Sequence, residues 1–269
     1  MTQRLSTAIR AARAAGKVLR NKLDDARDVR FKGKRDIVTD ADYAADRAVR
    51  SVIRARYPHD HFLSEEDSAE KRGQLWARVS RSDDAHLWIV DPLDGTTNYA
   101  HRLPAFTVSI AMYQQGAVQL GVVYEPLRGE LFAAERGAGA FLNGKPMKVS
   151  AIRQFEHAVI GTEFARDQTS RSRTTAMFTR VLARATSGRA FGSAALSLCY
   201  VAAGRLDGYF HLSLSPWDVA AGALIIEEAG GKITTLTGEP WDVHSKSYVT
   251  SNGLLHHQLL RICRMQNRS

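Results

Sequence analysis

Cysteine is nearly absent: the 269 residues include 2, Cys199 and Cys263. Neither stands in a CxxC or CxxH spacing, which excludes a disulfide framework and a cysteine-based zinc or redox centre. Both read as buried thiols. Proline is scarce at 7, and no Pro/Ser-rich linker, internal repeat or low-complexity tract interrupts the chain. Any two halves should therefore pack directly together. No stretch approaches the roughly 18 apolar residues of a membrane span. The opening Met1-Thr2-Gln3-Arg4 begins a polar amphipathic pattern rather than a signal peptide. These absences predict a cytoplasmic protein with no membrane partner.

Acidic residues are in the minority, 28 against 37 Lys and Arg, for a net charge of +9. A basic excess is a nucleic-acid footprint where it clusters. Here it is spread. The densest runs are Arg27 to Arg35 and Arg166 to Arg184, and Ala176, Met177, Phe178, Val181 and Leu182 interrupt the second at helical spacing, so a solvated helix face is favoured over a nucleic-acid surface. A chain of this length with 44% apolar and 24% charged residues can bury a sizeable core in one large domain or two small ones.

Leu5, Ala8, Ile9, Ala12, Gly16, Leu19 and Leu23 recur at three- and four-residue steps, which predicts an amphipathic first helix. A second, over Ala44 to Ile53, starts near Asp40 and Asp42 and ends at Tyr57-Pro58. Strands follow at Leu87–Asp91, Phe106–Tyr113, Val118–Tyr124 and Glu130–Ala134. Their close spacing implies antiparallel pairing, and Asn143-Gly144 supplies a hairpin turn. Beyond about residue 150 strand and helix alternate: a strand at Ala158–Thr162, the Arg-rich helix, a helix at Ala194–Ala203, a strand at Gly208–His211, a helix at Val219–Glu228 closed by Gly230-Gly231, and a strand from Lys232. The expected class is α+β passing into α/β, with a seam between 1–148 and 149–269.

The most informative segment is Trp88-Ile-Val-Asp91-Pro-Leu-Asp94-Gly-Thr-Thr-Asn98. An apolar strand delivers Asp91 at its end, and Pro-Leu brings Asp94 round a turn. Two carboxylates about 4 Å apart repel by roughly 4 kcal/mol at an effective dielectric of 20, so a converging pair needs a proton or a cation between them. Mg²⁺, a hard ion with oxygen ligands, meets that need. If a short helix starts here, the N–H groups of Gly95, Thr96 and Thr97 can face an anion. Alone, Asp91 and Asp94 could merely shape a turn. Ser64-Glu65-Glu66-Asp67 after Phe62-Leu63, and Ser215-Pro216-Trp217-Asp218 at a helix start, place further acids at element boundaries.

Together these motifs resemble the inositol monophosphatase family of magnesium-dependent phosphomonoesterases over nearly the whole chain. The resemblance rests on Asp36-Ile-Val-Thr-Asp-Ala-Asp42, Phe62-Leu-Ser-Glu-Glu66, Asp91-Pro-Leu-Asp-Gly-Thr-Thr-Asn98, Gly192-Ser-Ala-Ala195, and Pro216-Trp-Asp218 with Glu227-Glu-Ala-Gly-Gly231. It implies a layered αβαβα sandwich of the sugar-phosphatase type, with an antiparallel sheet in the first half and a mixed sheet in the second. It implies Glu65, Asp91 and the Leu93 carbonyl as ligands of one Mg²⁺, and Asp91, Asp94 and Asp218 as ligands of another. A third, weaker ion would face Glu65. Thr96, with Asp42 as partner, would orient or activate the attacking water. The N–H groups of Gly95 and Thr96 would hold phosphate, Glu66 would play a supporting part, and Asp94, Ala194, His211 and Asp218 would complete the substrate site. A homodimer, lithium sensitivity and a small phosphate ester as substrate are implied as well.

Water then attacks directly, with no phosphoenzyme. The haloacid dehalogenase phosphatases also end a strand with an Asp pair, but as D-x-D with a nucleophilic first Asp. Here two residues intervene, which favours shared metal ligation. One departure bears on specificity: where the family carries a Glu that binds a substrate hydroxyl, this chain has His211. Inositol 1-phosphate is the first expectation, with fructose 1,6-bisphosphate, histidinol phosphate and adenosine 3′,5′-bisphosphate as alternatives. A non-enzymatic alternative is an RNA- or protein-binding factor whose phosphatase site is secondary. Lys32 and Lys34 read as a basic turn near the site, Trp217 as core packing or a pocket wall beside Trp241, and His256-His257 as surface.

Overall fold

The computed structural model describes residues 1–24, 29–33, 36–79 and 85–265. Arg27, Asp28, Lys34 and Arg35 of the Arg27 to Arg35 run lie outside the described residues. The first half runs α1 (Gln3–Lys22), β1 (Val29–Gly33), β2 (Asp36–Thr39), α2 (Asp40–Arg56), β3 (His61–Ser64), α3 (Ala69–Val79), β4 (Leu87–Asp94), α4 (Thr96–Ala100), β5 (Thr107–Gln114), β6 (Ala117–Glu125), β7 (Glu130–Glu135), β8 (Ala140–Leu142) and β9 (Lys145–Pro146). The second half follows with β10 (Val159–Thr162), α5 (Gln168–Leu182), β11 (Ser187–Arg189), α6 (Ala194–Ala202), β12 (Gly208–Leu212), α7 (Pro216–Glu228), β13 (Lys232–Thr234), β14 (Ser247–Ser251) and α8 (His256–Arg264).

Five layers result. Helices α1 and α2 cover one face of a 7-stranded sheet ordered β3-β4-β5-β6-β7-β8-β9, and α6 and α7 cover the other. Beyond them lies a 5-stranded sheet ordered β11-β10-β12-β14-β13, whose far face carries α5 and α8. The sequence shows why. Along β4, Trp88 and Val90 join the core under α1 and α2, while Leu87 and Ile89 join the core under α6 and α7. Successive strand residues face opposite sides, so a strand covered on both faces reads as a continuous apolar run. Helix α7 is buried over Val219–Ile226 because it lies between two sheets, and such a helix is apolar all round. Gly121 permits the contact: a Cβ there would lie 2.6 Å from the Ala221 carbonyl oxygen.

The first sheet departs from the antiparallel expectation at one edge. Strand β3 pairs parallel with β4, His61 opposite Leu87 and Ser64 opposite Val90. The connection through α3 returns the chain in the same direction, as crossovers do. From β4 to β9 every pair is antiparallel, and Asn143-Gly144 forms the turn between Leu142 and its partner Lys145. Buried Cys199 and Cys263 are free thiols. His256 overturns the surface reading: it is 3% exposed, with Nε2 3.0 Å from Thr234 Oγ1 and Nδ1 3.3 Å from Ser251 Oγ. Two hydroxyls satisfy its ring nitrogens, which lets an amphipathic helix turn a histidine inward, while His257 remains exposed. Among the described residues no helix is long and apolar enough to cross a membrane.

Candidate active site

The strand carrying Asp91 does not end there. Asp91 pairs with Ser109 and Asp94 with Thr107, so three steps on β4 match two on β5. This is a bulge rather than the expected turn. In a regular strand residues i and i+3 face opposite sides, and one extra residue restores them to the same side. Pro92 has no N–H to give the ladder, and the Leu93 N–H turns to Asp91 Oδ1 at 3.0 Å. Gly95 follows with φ 92, where a side chain would be strained and a Cβ would meet the Ala105 carbonyl at 2.9 Å. Helix α4 starts directly after it.

Asp218 arrives from the other half. It closes the first turn of α7 as a capping box, accepting the Ser215 N–H at 2.7 Å. One oxygen from each of Asp91, Asp94 and Asp218 lies within 4.8 Å of the other two. Asp91 is 1% exposed. Burial, then the charges of Glu65, Asp94 and Asp218, push its carboxyl well above the usual range. Asp218 rises through burial and the charges of Glu65 and Asp94, and Asp94 rises through burial against four hydrogen-bond donors.

Those donors fix Asp94. The Ser193 hydroxyl, the Ala195 N–H at 2.8 Å and the Ala194 N–H at 3.3 Å come from the start of α6, and the Thr107 hydroxyl lies 3.5 Å away on β5. The carboxylate thus occupies the positive end of a helix dipole. Thr96 Oγ1 stands 3.1 Å from Asp42 Oδ1 and 3.0 Å from the Leu93 carbonyl oxygen. Asp42 Oδ2 accepts from the Thr39 N–H at 2.7 Å and the Thr39 hydroxyl at 2.6 Å. Burial raises the Asp42 pKa to about 6 against those hydrogen bonds.

These groups border a cleft of about 590 Å³ lined by Glu65, Asp91, Leu93, Asp94, Gly95, Thr96, Ala194, His211 and Asp218, with Asp42 reached through Thr96. These expected residues therefore assemble in one place, whereas Glu66 is not among the described lining residues and its N–H donates to Ser64 Oγ at 3.3 Å. Ala194 borders the cleft while its N–H is engaged by Asp94. His211 is 6% exposed, its Nδ1 has no partner among the described residues, and burial with the nearby Arg166 charge lowers its pKa to about 4. It is a neutral imidazole. Trp217 both lines the cleft and packs against the core, whereas Trp241 packs against the core, is not among the described lining residues and donates to Glu227 Oε1 at 2.6 Å.

Other lining residues went unrecognised in the sequence. Glu163, just beyond β10, accepts the Phe191 N–H at 3.0 Å, the Gly192 N–H at 2.9 Å and the Ser197 hydroxyl at 3.1 Å, and burial lifts its pKa to about 8. Its position after a strand was a usable signal, because strand ends are where sites are built. Arg166 and Arg171 also line the cleft, with Arg166 Nη2 3.9 Å from Glu65 Oε1. Part of the basic run therefore faces this cleft rather than bulk solvent alone.

The donor set suits a hard divalent cation. It consists of carboxylate oxygens and a backbone carbonyl without thiolate or imidazole ligands, and mutual repulsion of the acids is what such an ion relieves. A model of the inositol monophosphatase family matches residues 1–267. The chain belongs to the inositol monophosphatase family. Within it, the chain is 41% identical over 258 residues to a protein named Nus factor SuhB from Pasteurella multocida, covering 95% of this chain and 91% of that one. The extragenic suppressor protein SuhB from Bartonella henselae superposes with a TM-score of 0.89 at 36% identity over 98% of this chain and 99% of that chain. The IMPase of Thermotoga maritima does so with 0.87 at 36% identity over 97% of each. Family membership accounts for the layered fold, a phosphatase-type cleft and its metal-binding acids.

Proposed function

We propose that this family member is a Mg²⁺-dependent phosphomonoesterase of the cytoplasm acting on a small polyol or sugar phosphate, inositol 1-phosphate first. The observation that carries the reading is the convergence of Asp91, Asp94 and Asp218 beside the Thr96–Asp42 pair. Glu65, Asp91 and the Leu93 carbonyl would hold one Mg²⁺ and Asp91, Asp94 and Asp218 a second, with a third weaker position facing Glu65. Bound Mg²⁺ supplies charge neutralisation at the phosphoryl oxygens and the leaving alkoxide, and acidifies a water.

The protein's own groups do the rest. A hydroxyl has one proton for two acceptors, so when Thr96 donates to Asp42 its oxygen is free to accept from an attacking water. The two Thr39 donors saturate Asp42 Oδ2 and leave Oδ1 for Thr96. The N–H groups of Gly95 and Thr96 would receive the phosphate. His211, neutral, can donate to or accept from a substrate hydroxyl.

Phosphate release from inositol 1-phosphate, fructose 1,6-bisphosphate, histidinol phosphate and adenosine 3′,5′-bisphosphate, each with Mg²⁺ and with EDTA, tests the reading. Mg²⁺-dependent turnover led by inositol 1-phosphate is expected. Failure on every ester would remove the activity. A second reading, in which the chain binds RNA or a protein and hydrolysis is secondary, draws on the name Nus factor carried by relatives 41% identical and on the net charge of +9. RNA affinity that persists at physiological salt and falls steeply with further salt would favour it. The family also suggests a homodimer, which sedimentation measures.

A further inference from the structure

Arg72 bridges the two segments that carry Glu65 and Asp218. It lies in α3, and its Nη1 donates to the carbonyl oxygens of Glu65 at 2.9 Å and Asp67 at 2.6 Å. The same guanidinium sits 4.9 Å from the ring centroid of Trp217, the residue before Asp218. A planar cation over an indole face is attracted by the ring quadrupole, and arginine can stack and donate at once. One side chain therefore ties the loop after β3, in the first half, to the start of α7, in the second.

Arg166 Nη2 also approaches Glu65 from the second half, 3.9 Å from Oε1, but it meets the carboxylate rather than the backbone of the loop. The Ser64 hydroxyl donates to Asp46 Oδ1 at 2.7 Å, Arg50 Nη2 to Asp67 Oδ1 at 3.0 Å and the Ser64 N–H to Asp67 Oδ2 at 3.0 Å, all within the first half. On the far side, the Trp217 carbonyl accepts from the Ser109 hydroxyl at 3.1 Å. These bonds hold each segment in place, but they do not tie the Glu65 loop to Trp217. Glu65 from the first half and Asp218 from the second both line the cleft. We propose that Arg72 is a positioning residue that holds the Glu65 loop against Trp217, so that acids from the two halves close on one cation site. This rests on the proposed Mg²⁺-dependent function.

The test is calorimetric Mg²⁺ titration of the full chain, with thermal melting of the metal-free protein and kcat at saturating Mg²⁺ alongside. Arg72→Ala should weaken Mg²⁺ binding by about tenfold or more, the usual effect of losing a residue that orients ligands. Metal-free Tm should stay near that of the unsubstituted protein, because the Ser64, Asp46 and Asp67 bonds persist. Activity should return at high Mg²⁺. Arg72→Lys, which keeps the charge and a donor but not the flat stack, should fall between. Lys71→Ala, which removes the neighbouring contact to Asp67, should leave Mg²⁺ binding unchanged. Unaltered Mg²⁺ affinity in Arg72→Ala overturns the proposal alone, as does a loss fully matched by a lower metal-free Tm in both Arg72 variants. Absence of Mg²⁺ uptake by the unsubstituted chain overturns the functional reading and this proposal with it.

Discussion

The Thr96 hydroxyl lies 3.1 Å from Asp42 Oδ1 although 54 residues separate the two in sequence. Helix α2 supplies one and α4 the other. Thr96→Ala should lower kcat by about a hundredfold, within the range of proton-transfer and positioning groups, while leaving Mg²⁺ affinity close to normal. Thr96→Ser, which restores the hydroxyl, should recover most of the rate. A defect confined to Mg²⁺ affinity would contradict the water-orienting role.

The acid cluster predicts opposite responses with and without metal. Asp91→Asn or Asp218→Asn should reduce turnover by roughly a thousandfold, equivalent to about 4 kcal/mol of transition-state stabilisation. Yet each should raise metal-free Tm near pH 8, because burial and neighbouring charges make each acid harder to ionise in the folded chain than in the unfolded one, and that cost is gone. The rise in Tm that Mg²⁺ gives the unsubstituted protein should shrink in both. Near-normal turnover in both variants would sink the site assignment.

His211 stands where the family resemblance expects a carboxylate acceptor. His211→Glu should raise activity on inositol 1-phosphate relative to β-glycerophosphate by about tenfold, the effect of one hydrogen bond to a charged group. Both esters share the reacting phosphate, so their ratio isolates recognition of the rest of the substrate. An unchanged ratio would show that His211 does not contact the polyol.

His256 gives a pH signature away from the cleft. Burial, with the charges of Lys232 and His257, depresses its pKa from 6.5 to about 4. The unfolded chain therefore takes up a proton between pH 6.5 and 4 that the folded chain refuses. The stabilisation is complete above pH 6.5 and is lost as the pH falls toward 4. His256→Gln should be less stable at pH 7.5 but should lose less on acidification, measured by urea melts at pH 7.5 and 5.0. Parallel pH responses would remove this group as the cause.

Much of the scaffold was legible because its signals are local. The apolar spacing over Leu5 to Leu23 marks α1, Tyr57-Pro58 marks the end of α2, and Asn143-Gly144 marks the hairpin from β8 to β9. Strands β3, β11 and β14 were not assigned; they are short, and pairing with neighbours defines them more than propensity does. Helix α3, with its Arg72, lacked a decisive stripe.

By itself the sequence determined the acids, their order and the kind of element carrying each, because period, caps and turn residues act over a few positions. Only the tertiary structure decided which of them meet. The bulge that puts Asp91 and Asp94 on one side depends on pairing with β5, and the arrival of Asp218 depends on α7 packing between two sheets. The inward turn of His256, the hold of α6 on Asp94 and the span of Arg72 from Glu65 to Trp217 are likewise contacts between distant segments. Burial and distance set those energies, and neither is a property of a local stretch of chain.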